Sequence, residues 1–188
     1  MVYLKRKYPQ FSACGLNCGL CPRHYSSTTS QCPGCGGVDF TKVHPNCGVL
    51  SCCQRKNLEF CYLCAEYPCK KYDGVTLSDS FISHKNQLID LEKAKCLGLD
   101  NYIRELNAKI IILQELLNSY DDGRRKSLFC LTVNLFDITD LNSLIEQLRS
   151  ECPVEASIKE KANIAVHIIQ SLAQLKGREL KLRKKDCL

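Results

Sequence analysis

Eleven of the 15 cysteines in this 188-residue chain lie between Cys14 and Cys69. The same window contains much of the glycine and proline and almost no continuous helical pattern. A segment of this kind cannot build an ordinary apolar core. The cysteine count is odd and the chain is longer than most disulfide scaffolds, which argues against a disulfide framework. Clustered thiols in a reducing compartment are more often metal ligands, so the window predicts metal binding.

The N-terminal stretch Met1-Val-Tyr-Leu-Lys-Arg-Lys lacks the apolar run of a secretory signal peptide. Nowhere does the sequence approach the roughly 18 consecutive apolar residues of a membrane-spanning helix. These two observations lead us to expect a cytoplasmic protein without a membrane partner.

Composition divides the chain into two predicted domains, a Cys-rich metal-binding domain over residues 1–75 and a helical domain over residues 76–188. Positive charge is concentrated at the two ends, since residues 1–75 carry nine Lys or Arg against four acidic residues, and residues 176–188 carry six against two. The predicted fold class is therefore mainly α, a small irregular Cys-rich domain followed by a helical bundle with a basic C-terminal tail.

Helical periodicity predicts four or five helices after residue 76. The first is expected over residues 78–96, capped by Ser78 or Asp79 and stopped by Gly98. Residues 127–136 are compatible with a strand or a helix, and we favour the helix. Caps at 137–140 and a stop near Gly177 predict two more helices. The second helix has an apolar seam of Leu99, Ile103, Leu106, Ile110, Leu113, Leu117 and Tyr120.

The cysteines of the first region are spaced as C-x3-C-x2-C, C-x2-C, H-x2-C-x4-C-C and C-x2-C-x4-C. Two thiolates separated by two residues can bind one metal ion from a tight turn, and four such groups together are a specific signal. Cys32-Pro-Gly-Cys35 has the form of a zinc knuckle. The candidate metal ligands are Cys14, Cys18, Cys21, Cys32, Cys35, His44, Cys47, Cys52, Cys53, Cys61, Cys64 and Cys69.

A closed structural zinc site takes four ligands, so eleven cysteines and His44 would fill three sites. Two Zn²⁺ sites with spare thiols fit equally well. Because Cys52 and Cys53 are adjacent and point in different directions, one of them is expected to be spare, and Cys53 is our choice of free thiol. His24 is a weaker candidate ligand than His44.

The competing interpretation of these thiols is an iron-sulfur centre, because three closely spaced cysteines can bind three corners of a 4Fe-4S cluster. C-x3-C-x2-C is also the spacing of radical S-adenosylmethionine enzymes. Those enzymes need a large α/β barrel after the motif, and this sequence predicts helices there. We favour zinc and keep the 4Fe-4S cluster as the alternative.

The ordered motifs resemble those of DUF3795, a family of uncharacterised cysteine-rich prokaryotic proteins. The resemblance covers residues 12–72. It is carried by Cys14-Gly-Leu-Asn-Cys18-Gly-Leu-Cys21-Pro, Cys32-Pro-Gly-Cys35, Cys47-Gly-Val-Leu-Ser-Cys52 with Lys56-Asn-Leu-Glu, and Cys61-Tyr-Leu-Cys64-Ala-Glu-Tyr-Pro-Cys69. It implies a metal-binding domain, with zinc as the metal, and no established activity. Where the family has a C-x2-C pair this chain has His44-Pro-Asn-Cys47, which either replaces a thiolate with an imidazole or leaves a ligand missing.

Metal ions in such a region are expected to be structural, because binding supplies the folding free energy that the apolar residues cannot. Catalytic zinc usually has histidine or carboxylate ligands and a nearby base, whereas these groups are rich in thiols and poor in acids. We therefore expect a non-catalytic interaction module with a protein partner. Nucleic acid, redox or sulfur chemistry, metal delivery and homodimerisation through the apolar seam remain alternatives.

Overall fold

The computed structural model describes residues 6–26 and 30–184. Within those ranges the chain forms seven α-helices and no β-strand, which confirms the mainly α fold class. Short 3₁₀ turns, including Cys18–Leu20 and Cys61–Leu63, occupy much of the Cys-rich region. The helices are α1 Phe40–Val43, α2 Gly48–Arg55, α3 Gln87–Cys96, α4 Leu99–Ser119, α5 Lys126–Leu135, α6 Ile138–Glu151 and α7 Ile158–Leu175.

The chain forms two compact units, unit 1 over Met1–Arg104 with Leu182–Leu188 and unit 2 over Glu105–Lys181. The division falls inside α4, later than the change in composition near residue 75. Unit 1 extends this far because α3 contacts the Cys-rich segment, as shown by the hydrogen bond of 2.9 Å from the Gln87 side chain to the Cys14 carbonyl oxygen. The first five and last four residues, which include Cys187 and part of the predicted basic tail, lie outside the described residues.

Two helices of unit 2, α6 and α7, begin at polar caps. The Asp137 carboxylate accepts a hydrogen bond of 3.0 Å from the Asp140 backbone and starts α6. Ser157 and Glu160 form a capping box at the start of α7, which satisfies two backbone N–H groups that the helix leaves unpaired. Gly177 follows the end of α7 with a φ of +59°, a conformation that favours glycine. The predicted helices at 127–136, after 137–140 and before Gly177 are thus confirmed.

The core of unit 2 is mainly aliphatic. The predicted seam on α4 is only partly correct. Ile110 and Leu117 are half-buried, whereas Ile112 and Leu116 are buried in the core. The difference arises because a straight α-helix drifts by about 20° per heptad relative to a strict 3.5-residue repeat, so the buried stripe is wider than the seam. Lys109 is also buried there, with its ammonium group donating a hydrogen bond of 2.7 Å to the Phe136 carbonyl oxygen.

The helix predicted over residues 78–96 begins only at Gln87, and that prediction is wrong for its first nine residues. Asp79 does not cap a helix, because its carboxylate binds Arg183 through contacts that include hydrogen bonds of 2.8 Å from the backbone N–H and 2.6 Å from the guanidinium. It also accepts a hydrogen bond of 2.7 Å from the His84 backbone. Burial would raise the pKa of Asp79, but these hydrogen bonds outweigh it and hold the pKa well below its usual range.

An aromatic cluster forms the apolar centre of unit 1. Phe11 and Phe60 are fully buried with ring centroids 5.1 Å apart, and Tyr102 packs on Phe11 at 4.6 Å. Phe60 directly precedes Cys61, and the Cys61 backbone donates a hydrogen bond of 2.9 Å to the Ala13 carbonyl oxygen. The cluster therefore fixes the two cysteine-bearing segments against each other.

A buried polar network packs α3 and the start of α4 onto the first cysteine motif. The Asn17 amide donates to Asp90 at 2.8 Å and accepts a hydrogen bond of 2.9 Å from the Tyr102 hydroxyl. Gly15 lies at φ +96°, and a side chain there would overlap the Gln87 backbone and the Leu91 side chain. The glycine of the first motif is thus required by the close approach of α3.

No helix among the described residues combines the length and the apolar character needed to cross a membrane.

Candidate metal centre

The same backbone turn occurs at Cys18–Leu20 and at Cys61–Leu63. Each is a 3₁₀ turn that brings the first cysteine of a C-x2-C pair next to the second. The second cysteine, Cys21 or Cys64, has φ −81° and ψ 135° in both turns, and its N–H bonds to the carbonyl oxygen of the first at 3.1 or 3.0 Å. The two turns therefore present their thiols in equivalent ways, as a metal-binding knuckle requires.

A first group of thiols surrounds the turn at Cys18. Burial raises the pKa of Cys18 well above its usual value, and the negative charges of neighbouring thiols raise it further. Cys14 and Cys35 in turn interact with Cys47. The first group comprises Cys14, Cys18, Cys21, Cys32, Cys35 and Cys47.

Hydrogen-bond donors point at several sulfurs of the first group. Burial raises the pKa of Cys21, while the backbone groups of Arg23 and His24 donate to its sulfur and oppose that rise. The Leu50 N–H at the start of α2 lies 3.5 Å from the Cys47 sulfur. Cys14 lies 3.1 Å from the Ser12 hydroxyl, although burial raises the pKa of its thiol to about 12. Donors of this kind stabilise the thiolate form that binds metal.

A second group of thiols lines a small pocket between α2 and the turn at Cys61, with a volume of about 50 Å³. Burial raises the pKa of the Cys53 thiol to about 12, and the neighbouring Cys61 thiol raises it further. Burial also raises the pKa of Cys61, and the Tyr72 hydroxyl opposes that rise. The second group comprises Cys52, Cys53, Cys61, Cys64 and Cys69.

Two lysine side chains, Lys56 and Lys71, lie beside the thiols of the second group. The Lys56 ammonium group lies 3.2 Å from the Cys64 sulfur and 3.0 Å from the Glu66 carboxylate, which raises the pKa of Lys56. Lys71 also lines the pocket. A cation beside a thiolate lowers the electrostatic cost of collecting several negative sulfurs at one place.

Arg6 is buried and acts on one thiol of each group. Its guanidinium donates hydrogen bonds to the carbonyl oxygens of Phe11 at 2.9 Å and Glu59 at 3.0 Å, and pairs with the Glu59 carboxylate at 3.2 Å. Burial raises the pKa of both Cys35 and Cys53, and the positive charge of Arg6 opposes the rise in each case. Arg6 is therefore a shared counter-charge for the two groups.

The side chains do not form a ready-made coordination sphere. Among residues 6–26 and 30–184, no set of three or more His, Cys, Asp or Glu side chains is arranged to bind a metal ion. Each of the fourteen cysteines in those ranges is a free thiol. The donor set nevertheless suits a thiophilic metal, because thiols lining one pocket, backbone N–H donors and nearby cations are features of thiolate metal sites.

The two candidate histidines lie apart from the second group. The His44 ring stacks on Phe40 with a centroid distance of 4.4 Å, and its Nδ1 lies 2.8 Å from the Pro45 carbonyl oxygen. The His24 Nδ1 lies 2.8 Å from the Cys32 carbonyl oxygen. Each imidazole thus contacts the backbone next to a cysteine motif.

A match between this sequence and a family model covers the same region. Residues 10–74, which include every thiol of both groups, match the family model described as protein of unknown function DUF3795. We refer to these matched residues, about a third of the chain, as the DUF3795 domain. Its C-terminal end, residue 74, lies close to the end of the predicted Cys-rich domain and within unit 1. No curated protein and no solved structure matches the chain.

Sequence reasoning missed the side chains that contact the sulfurs of the DUF3795 domain. Arg6, Ser12 and Tyr72 interact with thiols of the two groups. Tyr72 is buried. The one available signal was the Lys56-Asn-Leu-Glu stretch of the family motif, where Lys56 contacts Cys64.

Proposed function

We propose that this protein is a zinc-binding interaction module whose metal ions are structural and not catalytic. The observation that carries the proposal is the pocket lined by five thiols beside α2, together with the donors that point at sulfurs of the first group. Sites with four thiolate ligands are usually closed structural sites. A reducing compartment, the cytoplasm, is the proposed location because thiolate sites require reduced cysteines.

A protein is the proposed partner. Two side chains that could otherwise contact nucleic acid are engaged within unit 1, since Tyr72 is buried and the Arg23 guanidinium lies over the Phe81 ring at 4.4 Å. Arg55 and Lys70 are exposed. Retention on nucleic acid that weakens steeply with salt would favour nucleic acid as the partner instead.

Zinc in the purified protein is expected to resist a weak chelator, because a structural site holds its metal with folding free energy. The measurement is the rate of zinc transfer to a metal-sensitive dye, with and without denaturant. Slow transfer that becomes fast and complete in denaturant supports the structural role. Fast, complete transfer from the folded protein would contradict it and indicate metal delivery.

A further inference from the structure

We infer that the DUF3795 domain contains two separate four-thiolate metal sites, an inference that rests on the proposed zinc binding. It assigns eight of the eleven thiols and leaves Cys14, Cys47 and Cys52 unbound. The first site comprises Cys18, Cys21, Cys32 and Cys35, and the second comprises Cys53, Cys61, Cys64 and Cys69. Among the described residues these thiols are not arranged as coordination spheres, so each ion has to draw its four thiols together when it binds.

Two C-x2-C turns meet at the first site. The Cys32 backbone donates a hydrogen bond of 2.9 Å to the Arg23 carbonyl oxygen, which places the second turn beside the first. Gly34 and Gly36 adopt φ +89° and +69°, so glycine at these positions allows the chain to reverse around the pair. Both Cys32 and Cys35 are buried. Two paired thiols from each of two turns are the usual composition of a four-cysteine zinc site.

The two remaining thiols of the first group, Cys14 and Cys47, do not belong to a C-x2-C pair. The Cys14 sulfur lies 3.1 Å from the Ser12 hydroxyl, and the Cys47 sulfur accepts the Leu50 N–H at the start of α2. A tetrahedral ion needs only four ligands, and the two C-x2-C pairs supply them. Cys14 and Cys47 are therefore assigned structural contacts.

At the second site the turn at Cys61 supplies two thiols, and α2 and Cys69 supply the others. Cys53 is the α2 ligand because it is only 3% exposed and lines the same pocket as Cys61. The adjacent Cys52 is half-buried. This assignment reverses the expectation from the sequence that Cys53 is the spare thiol.

The charges near the sulfurs fit two separate ions. A zinc ion with four thiolates carries a net charge of about −2, which must be balanced where water is excluded. The second site has Lys56 at 3.2 Å from Cys64 and Lys71 on the pocket wall. The positive charge of Arg6 stabilises the thiolate forms of both Cys35 in the first site and Cys53 in the second. The pocket volume of about 50 Å³ is on the scale of one or two water molecules, which suits a single ion.

The test is zinc content per chain, with the absorption of the cobalt-substituted protein as a second readout of thiolate ligation. The full-length protein is compared with single variants of half-buried cysteines. Cys21→Ser and Cys64→Ser should each lose one of two metal ions and about half of the cobalt–thiolate absorption. The matched controls Cys47→Ser and Cys52→Ser should keep both ions. Cys53→Ser should behave as Cys64→Ser does.

Three outcomes would overturn the assignment: both ions retained in Cys64→Ser, both lost from one single variant, or a larger loss in Cys52→Ser than in Cys53→Ser. Failure of the proposed function looks different, because the unmodified protein would then bind no zinc. A zinc-loaded unmodified protein with a different variant pattern contradicts only the two-site assignment.

Discussion

Removing the metal is expected to unfold the DUF3795 domain while the helices of unit 2 stay folded. Structural zinc binding contributes about 10–16 kcal/mol in small zinc domains, whereas the net stability of a whole domain is about 5–15 kcal/mol. A domain whose fold depends on thiolate sites therefore has little stability left without them. Unit 2 buries its own core, including Leu113, Phe129 and Ile169, and does not need the metal.

The measurement is an amide nuclear magnetic resonance spectrum before and after a strong chelator. Signals from residues 10–74 should collapse into the narrow range of an unfolded chain, and the helical circular dichroism of unit 2 should remain. Zinc added back under reducing conditions is the control and should restore the spectrum. Dispersed signals from Phe11 and Phe60 in the metal-free protein would show that the aromatic cluster folds alone.

Phe11→Ala is expected to lower the free energy of unfolding of unit 1 by about 3–5 kcal/mol, the usual cost of deleting a fully buried aromatic ring. Phe11 is 0% exposed and contacts the Phe60 and Tyr102 rings, so the deletion leaves a cavity where the two cysteine-bearing segments meet. The measurement is urea unfolding of the zinc-loaded protein, followed by resonances of unit 1.

The matched control for Phe11→Ala is Phe81→Ala. Phe81 is 49% exposed and its main contact is the Arg23 guanidinium, an interaction worth about 0.5–1 kcal/mol at an exposed site. The control should therefore cost about 1 kcal/mol or less. Equal losses in the two variants would mean that the aromatic cluster does not stabilise unit 1.

The helices of unit 2 could be predicted from the sequence because their signals are local. Asp137 and Ser157 cap helices within three residues of their partners, and Gly177 ends a helix by its own conformational freedom. The motif series of the DUF3795 domain is equally local, since each turn is defined by the spacing of two cysteines.

The start of α3 could not be predicted, because it is decided by a distant contact. Asp79 looks like a helix cap, but its partner Arg183 lies 104 residues away in the sequence. The burial of Ile112 in place of Ile110 similarly depends on which neighbours pack around α4. Local sequence patterns carry no information about the Asp79–Arg183 contact or about which side of α4 is buried.

The division of the thiols into two groups is also a tertiary property. Cysteines that are close in sequence, such as Cys47 and Cys52, fall into different groups, because Cys47 caps the start of α2 and Cys52 lies one turn further along it. Spacing could identify the candidate ligands, but only the fold places them in groups. Whether Cys53 or Cys52 completes the second site stays a prediction of the two-site assignment.

Zinc binding by the thiols is tested most directly by the zinc, iron and acid-labile sulfide content of protein purified without oxygen. We expect about two zinc ions per chain, no iron and no absorption in the visible region. About four irons with matching sulfide would contradict it. Electron transfer or sulfur chemistry at a 4Fe-4S cluster would then replace the structural zinc sites as the function to test.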